Sequence, residues 1–452
     1  MTDITVALIA VLLLLVLVLA GVHISFSLFI TSIAAMTFIA GFDIAMALLA
    51  SSVYYTIFDY VFAVVPLFIV MGSFMTQSRA AEGLYTFLYL IFRRIRGGLG
   101  VATVFANAAF AAVSGTSVAA AAVFSKIALP QMYRYGYSNR LALGCVSGSS
   151  VLGMLIPPSL LMIVYGVLTN TSIGLLFVAG IIPGLVLTGI YAVGIVATGY
   201  LRPQAVGAAA VASGPGTPSG PGTPSAAESP RMEGAELVRS VLTFLPVLGL
   251  VVLVIGGIWG GLFSPTEAAA VGALGAFILG KAMGMSNRGM VTAFKEAAVI
   301  TGGIMILLIS AQMFARMLAT SGLVAKVGEF LTGLDVGPNL IVVAFLAILL
   351  LLGAFLDSAS IILLAVPVIY PSIGLLGVDP IWFAIVVIIA VELGLLTPPL
   401  GMVPFTMSAV LGRDVKVEHI FAGAFPFFLM MILLLVLLFL FPGLVTWLPS
   451  IM

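Results

Sequence analysis

Four stretches of the chain, Ile4–Ala20, Val241–Ile258, Leu340–Phe355 and Leu429–Phe441, contain no charged residue. The longer ones approach the roughly 20 apolar residues with which a helix crosses the hydrocarbon of a bilayer. In that solvent every backbone N–H and C=O must be paired inside the protein, which leaves helices or closed barrels as spanning structures. Composition agrees, because 7% of the 452 residues are charged against about 25% in an ordinary soluble domain. The chain is read as an all-α polytopic membrane protein in contact with a lipid bilayer. Met1–Ala20 lacks a basic segment and a small-residue cleavage site, so it counts as a span rather than a signal peptide. A net charge of +1 argues against nucleic acid as a partner. The single cysteine, Cys145, can form no internal disulfide or metal cluster by itself.

Against this background the chain breaks its helices twice in nearly the same words, "GMLIPP" at 153–158 and "GLLTPP" at 394–399. A proline lacks the backbone donor and clashes with the preceding turn, so each pair interrupts a helix. The two sites belong to a longer correspondence. Pro130 aligns with Pro371, Gly136 with Gly377, Gly153 with Gly394, and Pro157–Pro158 with Pro398–Pro399, each 241 positions apart (371 − 130, 398 − 157). One offset held through several Gly and Pro landmarks indicates two copies of one unit. Between them, residues 203–235 are rich in Pro, Gly, Ala and Ser, and are expected to be a flexible cytoplasmic linker. The first repeat is then 1–202 and the second 236–452.

Basic residues collect on the cytoplasmic side of a membrane. Arg93, Arg94 and Arg96 precede the stretch 98–130, and Arg134 and Arg140 follow it, so it should enter and leave through one face as a re-entrant hairpin. The matching stretch 339–371 is flanked by "GLDVGPN" and "GVDP", acidic and without bases, so it should enter from the opposite side. The expectation is two inverted-topology repeats. Each has about five transmembrane helices, a re-entrant hairpin and a Pro-Pro-broken helix, the last at about 141–168 and 381–411. The remaining crossings are placed near 4–21, 24–41, 60–78, 241–262, 266–284 and 297–320.

Inverted repeats with discontinuous helices hold substrate and coupling ions near the midplane in secondary transporters. The hairpin tips, "VSGTSV" (113–118) and "FLDSAS" (355–360), add hydroxyls and one aspartate in apolar surroundings, with Thr116 aligned to Asp357 and Ser117 to Ser358. Such oxygen ligands suit sodium better than a transition metal. A channel would need a charged or carbonyl filter, and an enzyme a nucleophile with its base. Two His and one Cys offer no triad or zinc set.

The segments "SGTS" (114–117), "PQMYRYGY" (130–137), "LGMLIPPSLLMIVYGVLTNTSIGLLFVAGIIPG" (152–184), "SPTEAAAVGA" (264–273), "LDSASIILLAVPVIYP" (356–371) and "ELGLLTPPLGM" (392–402) carry a resemblance. The chain resembles the large membrane subunit of tripartite ATP-independent periplasmic (TRAP) transporters, in a wider superfamily of elevator-type ion-coupled carriers. The resemblance implies sodium-coupled import of an organic acid across a bacterial inner membrane, without a cofactor. It also implies a small DctQ-like membrane subunit and a periplasmic DctP-like binding protein. The alternative is a stand-alone sodium/carboxylate symporter of the same superfamily. The sodium candidates are Ser114, Gly115, Thr116, Ser117, Gly153, Asp357, Ser358, Gly394 and Thr397, with Thr116 and Asp357 foremost. The substrate candidates are Ser149, Pro157, Pro158, Ser159, Ser360, Pro398, Pro399 and Gly401.

Plainer roles stand beside these. Asp357 also suits a helix cap. Glu392, six residues before Pro398, could tune the ion site or pair with a neighbour. Glu267 fits a capping arrangement with Ser264 or Thr266, and small hydroxyl residues also mediate helix contacts in membranes. Tyr133, Tyr135 and Tyr137 suit a membrane interface, and His23 and His419 its edges.

Overall fold

The computed structural model describes residues 2–207, 234–333, 336–412 and 415–452. Most of the expected linker, 208–233, therefore lies outside the described residues. Among those described, the chain is helical, and its β pairing is an isolated bridge between Tyr137 and Val206. The apolar runs become helices because the residues at their ends satisfy or terminate them. Thr2 accepts from the Thr5 N–H at the start of Asp3–Leu19, and Gly21 at φ +86° turns the chain after it. His23 caps Ile24–Ala40 through Nδ1. Ser264 and Glu267 form a reciprocal capping box at the start of Pro265–Ala282.

Five helices among the described residues are long and apolar enough to cross a membrane. They are Asn139–Thr169, interrupted within its length, Ile173–Leu201, Val241–Trp259, Asn287–Thr320 and Val417–Leu440. Phe42–Phe58 and Tyr60–Thr76 form a further pair bent by 56°. The bend falls at Asp59, whose backbone is extended and whose carboxylate accepts from the Val61 N–H at 2.9 Å. No uniformly apolar run marks Phe42–Phe58 in the sequence, because its Ser, Thr and Tyr content dilutes its hydropathy. Ala80–Phe92 is likewise outside the crossings expected from sequence. This 13-residue helix rises only about 20 Å and buries one face through Ala80, Ala81, Leu84, Tyr85 and Leu88. Asn287–Thr320 starts ten residues earlier than the expected crossing at 297. Tyr133 and Tyr135 are part-exposed, but Tyr137 is buried rather than interfacial, packed where Ser138 bonds the Ala205 carbonyl.

Burial separates centre from periphery. The best apolar window of Asn139–Thr169 is 83% buried, against 28% for Val241–Trp259 and 33% for Val417–Leu440. Every residue from Trp382 to Leu395 is buried. The first broken helix and the Pro380–Leu395 segment of the second thus lie in the core, and the less buried spans present apolar side chains outward, where a lipid solvent accepts them.

Small residues allow the closest contacts. Gly144 and Gly148, spaced as GxxxG on Asn139–Ser150, meet Gly423 and Phe427 of Val417–Leu440. A Cβ on Gly423 would sit 2.5 Å from the Arg140 carbonyl oxygen, and one on Gly144 would sit 2.2 Å from the Gly423 oxygen. Alanine normally favours a helix over glycine by about 1 kcal/mol, but here it must push two backbones apart. Gly423→Ala is expected to destabilise the protein by about 1–3 kcal/mol. Gly302→Ala, where a Cβ would meet nothing within 4 Å, should leave stability unchanged or raise it. Thermal unfolding of the two variants in detergent checks this, and equal midpoints would refute the close-contact argument.

Candidate functional site

The first hairpin consists of Gly98–Ser114 and Ser117–Arg134. Its turn needs Gly115, which adopts φ +65° and lies so close to the neighbouring chain that a Cβ would stand 2.9 Å from the Pro158 oxygen. Thr116 takes the N-cap position of the second arm in extended backbone but caps nothing with its side chain. The broken helix of this half runs Asn139–Ser150 and Leu152–Leu155, then resumes at Leu160–Thr169 after a cis Pro157–Pro158 bond. Two interactions repair the break. The Leu160 N–H donates to the Gly115 carbonyl of the hairpin tip at 3.3 Å. The Ser159 hydroxyl donates to the Met154 carbonyl and accepts from the Met162 N–H. Gly153 brings the two elements together, since a Cβ there would fall 2.7 Å from the Thr116 carbonyl carbon.

The second half repeats the scheme with different atoms. Its hairpin is Pro338–Gly353 and Ser358–Ile373, and its broken helix is Pro380–Leu395 and Met402–Leu411 around a cis Pro398–Pro399 bond. The Leu400 N–H donates to the Ala354 carbonyl at 3.0 Å. Gly394 packs on Gly353, each so near that a Cβ would lie 2.5 Å from the other's Cα. Thr397 returns its hydroxyl to the Leu393 carbonyl at 2.9 Å, and a Cβ on Gly401 would strike the Leu395 oxygen at 2.6 Å. Asp357 is the N-cap of Ser358–Ile373, accepting from the Ser360 N–H at 3.1 Å and from the Ser360 hydroxyl.

Glu392 joins the two hairpins. It sits one turn before the second break, 1% exposed. One carboxylate oxygen accepts from the Ser117 hydroxyl at 2.5 Å and the other from the Ser358 hydroxyl at 3.1 Å. Ser117 and Ser358 are the aligned first residues of the two second arms. A single buried acid therefore ties both hairpin tips together. Of the two roles open to Glu392 from sequence, the structure shows pairing with neighbours, and the signal in the sequence is an acid inside an otherwise apolar helix.

Ser114, Gly115, Thr116, Ser117, Gly153, Pro158, Asp357, Ser358, Gly394 and Glu392 are thus linked through the tips and breaks. Ser149 belongs to a neighbouring contact, accepting from the Asn107 amide at 2.6 Å. The two breaks differ in exposure: Pro157, Pro158 and Ser159 are buried, whereas Pro398 and Pro399 are exposed. The buried Ser114 hydroxyl and Asn107 carbonyl oxygen have no hydrogen-bond partner. Asn107 was not singled out from sequence. Unsatisfied oxygens of this kind have the chemistry to ligate a hard cation or to bond a polar molecule.

Residues 11–444 match the family model described as tripartite ATP-independent periplasmic transporter, DctM component. The chain is 33% identical over 412 residues to the C4-dicarboxylate TRAP transporter large permease protein DctM of Pseudomonas aeruginosa, covering 90% of this chain and 89% of that one. It is 32% identical over 382 residues to the ectoine TRAP transporter large permease protein TeaC of Halomonas elongata, covering 84% and 83%. With the sialic acid TRAP transporter permease protein SiaT of Haemophilus influenzae it shares 28% over 446 residues, 98% of this chain and 68% of that one. Among solved structures, the YdaH transporter of Alcanivorax borkumensis superposes with a TM-score of 0.59 at 18% identity, over 89% of each chain, which is a likeness of fold.

The bridge has a measurable signature. Glu392→Ala orphans two buried hydroxyls, each worth about 1–3 kcal/mol when left unsatisfied. Ser117→Ala and Ser358→Ala should each destabilise, and each should lose most of its effect in the Glu392→Ala background. A double-mutant cycle on thermal unfolding reads the coupling, expected between about 0.5 and 3 kcal/mol. Strict additivity would show that the bridge does not hold the tips.

Proposed function

The chain belongs to the DctM component family of the tripartite ATP-independent periplasmic transporters, and from that premise we propose that it is the substrate-translocating subunit of a sodium-coupled organic-acid importer. The observation that carries the proposal is the paired geometry of the two halves. In each, a hairpin tip closes on a proline-broken helix, and the two tips share one buried carboxylate. A broken helix frees carbonyl oxygens for a cation, while the N-terminus of its second segment presents a positive dipole end toward an anion.

On this reading the two halves are inverted repeats, and hairpins and broken helices move as one body in an elevator-type mechanism. Sodium binds at the first tip around Ser114, Thr116 and Gly153, and at the second around Asp357, Gly394 and Thr397. The organic acid meets the segments after the breaks, near Ser159 and Gly401. The substrate falls among C4-dicarboxylates, keto acids, sugar acids and sialic acids. The assembly includes a small membrane subunit and a periplasmic binding protein in a bacterial inner membrane. The stand-alone symporter is less supported, because the matching relatives are named as permease components of tripartite systems.

Reconstitution in proteoliposomes with the binding protein and small subunit tests this. Uptake should require an inward sodium gradient and the loaded binding protein. Thr116→Val and Asp357→Ala should each weaken activation by sodium about tenfold or more, as expected when a cation loses a ligand worth at least about 1.4 kcal/mol, with the assembly intact on size exclusion. Unchanged sodium activation in both variants removes these residues from the coupling site. Sodium-dependent uptake without binding protein would favour the stand-alone reading.

A further inference from the structure

Away from the hairpin tips, a cavity of about 320 Å³ opens between Asn139–Ser150, Ile173–Leu201 and Val417–Leu440. Its lining combines Arg140, Arg202 and Ser138 with the apolar Ile195, Phe427 and Met430. Its position is at the basic end of the molecule. Arg96 lies over the Tyr200 ring at 5.0 Å, and the Ser138 N–H bonds the Ala205 carbonyl at 2.9 Å. These contacts bring the Arg93–Arg96 turn, the Arg134–Arg140 segment and Arg202 to one level. Among the described residues, neither Arg140 nor Arg202 has a carboxylate within ion-pair distance, and no acid lines the cavity. Ser138 also begins a helix, which adds backbone donors and a positive dipole end. Beside the opening, Val193 and Leu201 are 69% and 82% exposed, as on a surface that faces acyl chains.

We propose that this cavity is a binding site for an anionic phospholipid of the adjacent leaflet, its phosphate between Arg140 and Arg202 and its upper acyl chain along Ile195, Phe427 and Met430. Two forked guanidiniums provide charge and bidentate geometry for a phosphodiester. A basic pocket between transmembrane helices at the cytoplasmic end is a known physical setting for such headgroups. The apolar wall distinguishes a lipid from free phosphate, which would leave it wet. A lipid seated there bridges helices from both sides of the 208–233 segment.

The test uses the intact membrane assembly purified in neutral detergent, with dioleoylphosphatidylglycerol as probe and dioleoylphosphatidylcholine as control. Native mass spectrometry counts the retained lipid, and thermal unfolding reports its effect. Phosphatidylglycerol should be retained and raise the midpoint, phosphatidylcholine should do neither, and inorganic phosphate should not substitute. Arg140→Ala/Arg202→Ala should reduce retention about tenfold or more, at about 1 kcal/mol for each arginine. Arg140→Lys/Arg202→Lys should recover part of it. Arg93→Ala/Arg94→Ala, which removes as much charge at the same end, should retain the lipid. If the alanine pair fails to accumulate, the single variants Arg140→Gln and Arg202→Gln provide the same readout. Equal retention by wild type and the pocket variants, equal loss in the Arg93/Arg94 variant, or full replacement by inorganic phosphate would each overturn the proposal.

Discussion

A helix broken inside a bilayer must find partners for the backbone groups it releases, because the surrounding lipid offers none. This requirement organises the protein. Each proline pair stops a helix, and each resumed segment gives a backbone N–H to a hairpin tip: Leu160 to the Gly115 carbonyl, Leu400 to the Ala354 carbonyl. The hairpin and the broken helix in each half are therefore one hydrogen-bonded unit. Such bonds form only if the chains approach closely, and the aligned glycines make that possible. Gly153 touches the backbone of Thr116, and Gly394 touches Gly353. Gly153 and Gly394, which share the 241-residue offset along the sequence, are residues on which these contacts depend.

The two units are similar but not equivalent at their shared centre. The offset of 241 that pairs Ser117 with Ser358 sets Val151 opposite Glu392. Only the second half supplies the acid, and its two oxygens serve the serines of both halves. A carboxylate buried to this degree is expensive without donors, and the two hydroxyls provide them. The exchange is mutual, since each hydroxyl would otherwise be a buried donor without an acceptor. Whatever separates the tips must break at least one of these bonds, which makes Glu392 a clamp between the halves.

Much of this was legible in the residues because Gly, Pro and Asp speak through local backbone geometry. The breaks, the hairpin turns and the capping residues at 264 and 357 follow from short-range rules. Glu392 was not legible in the same way. Its partners lie 275 and 34 positions away in the chain, and their meeting depends on how the hairpins pack. Ala80–Phe92 escaped because a short amphipathic helix between basic and polar residues lacks the apolar length that marks a span. Tyr137 resembled an interfacial aromatic until the Ser138–Ala205 contact enclosed it. The basic cavity joins Arg140 with Arg202 and Phe427, a grouping that no local pattern announces.

Asp357 shows why a structural role and the proposed ligand role need not compete. Its carboxylate caps Ser358–Ile373 by accepting from the Ser360 N–H and hydroxyl. An ionised carboxylate has about four lone-pair sites, so two donors leave room for a cation. Thr116, its counterpart, holds the same N-cap position without using its side chain as a cap. The first tip therefore has a hydroxyl not committed to capping, two residues along the chain from the unpartnered Ser114 oxygen, and the second has a carboxylate held still by its own helix. A cap fixes the orientation of the carboxylate before any ion arrives, which lowers the ordering cost of binding. On the proposed function, the asymmetry assigns one neutral and one charged sodium site to two units of common design.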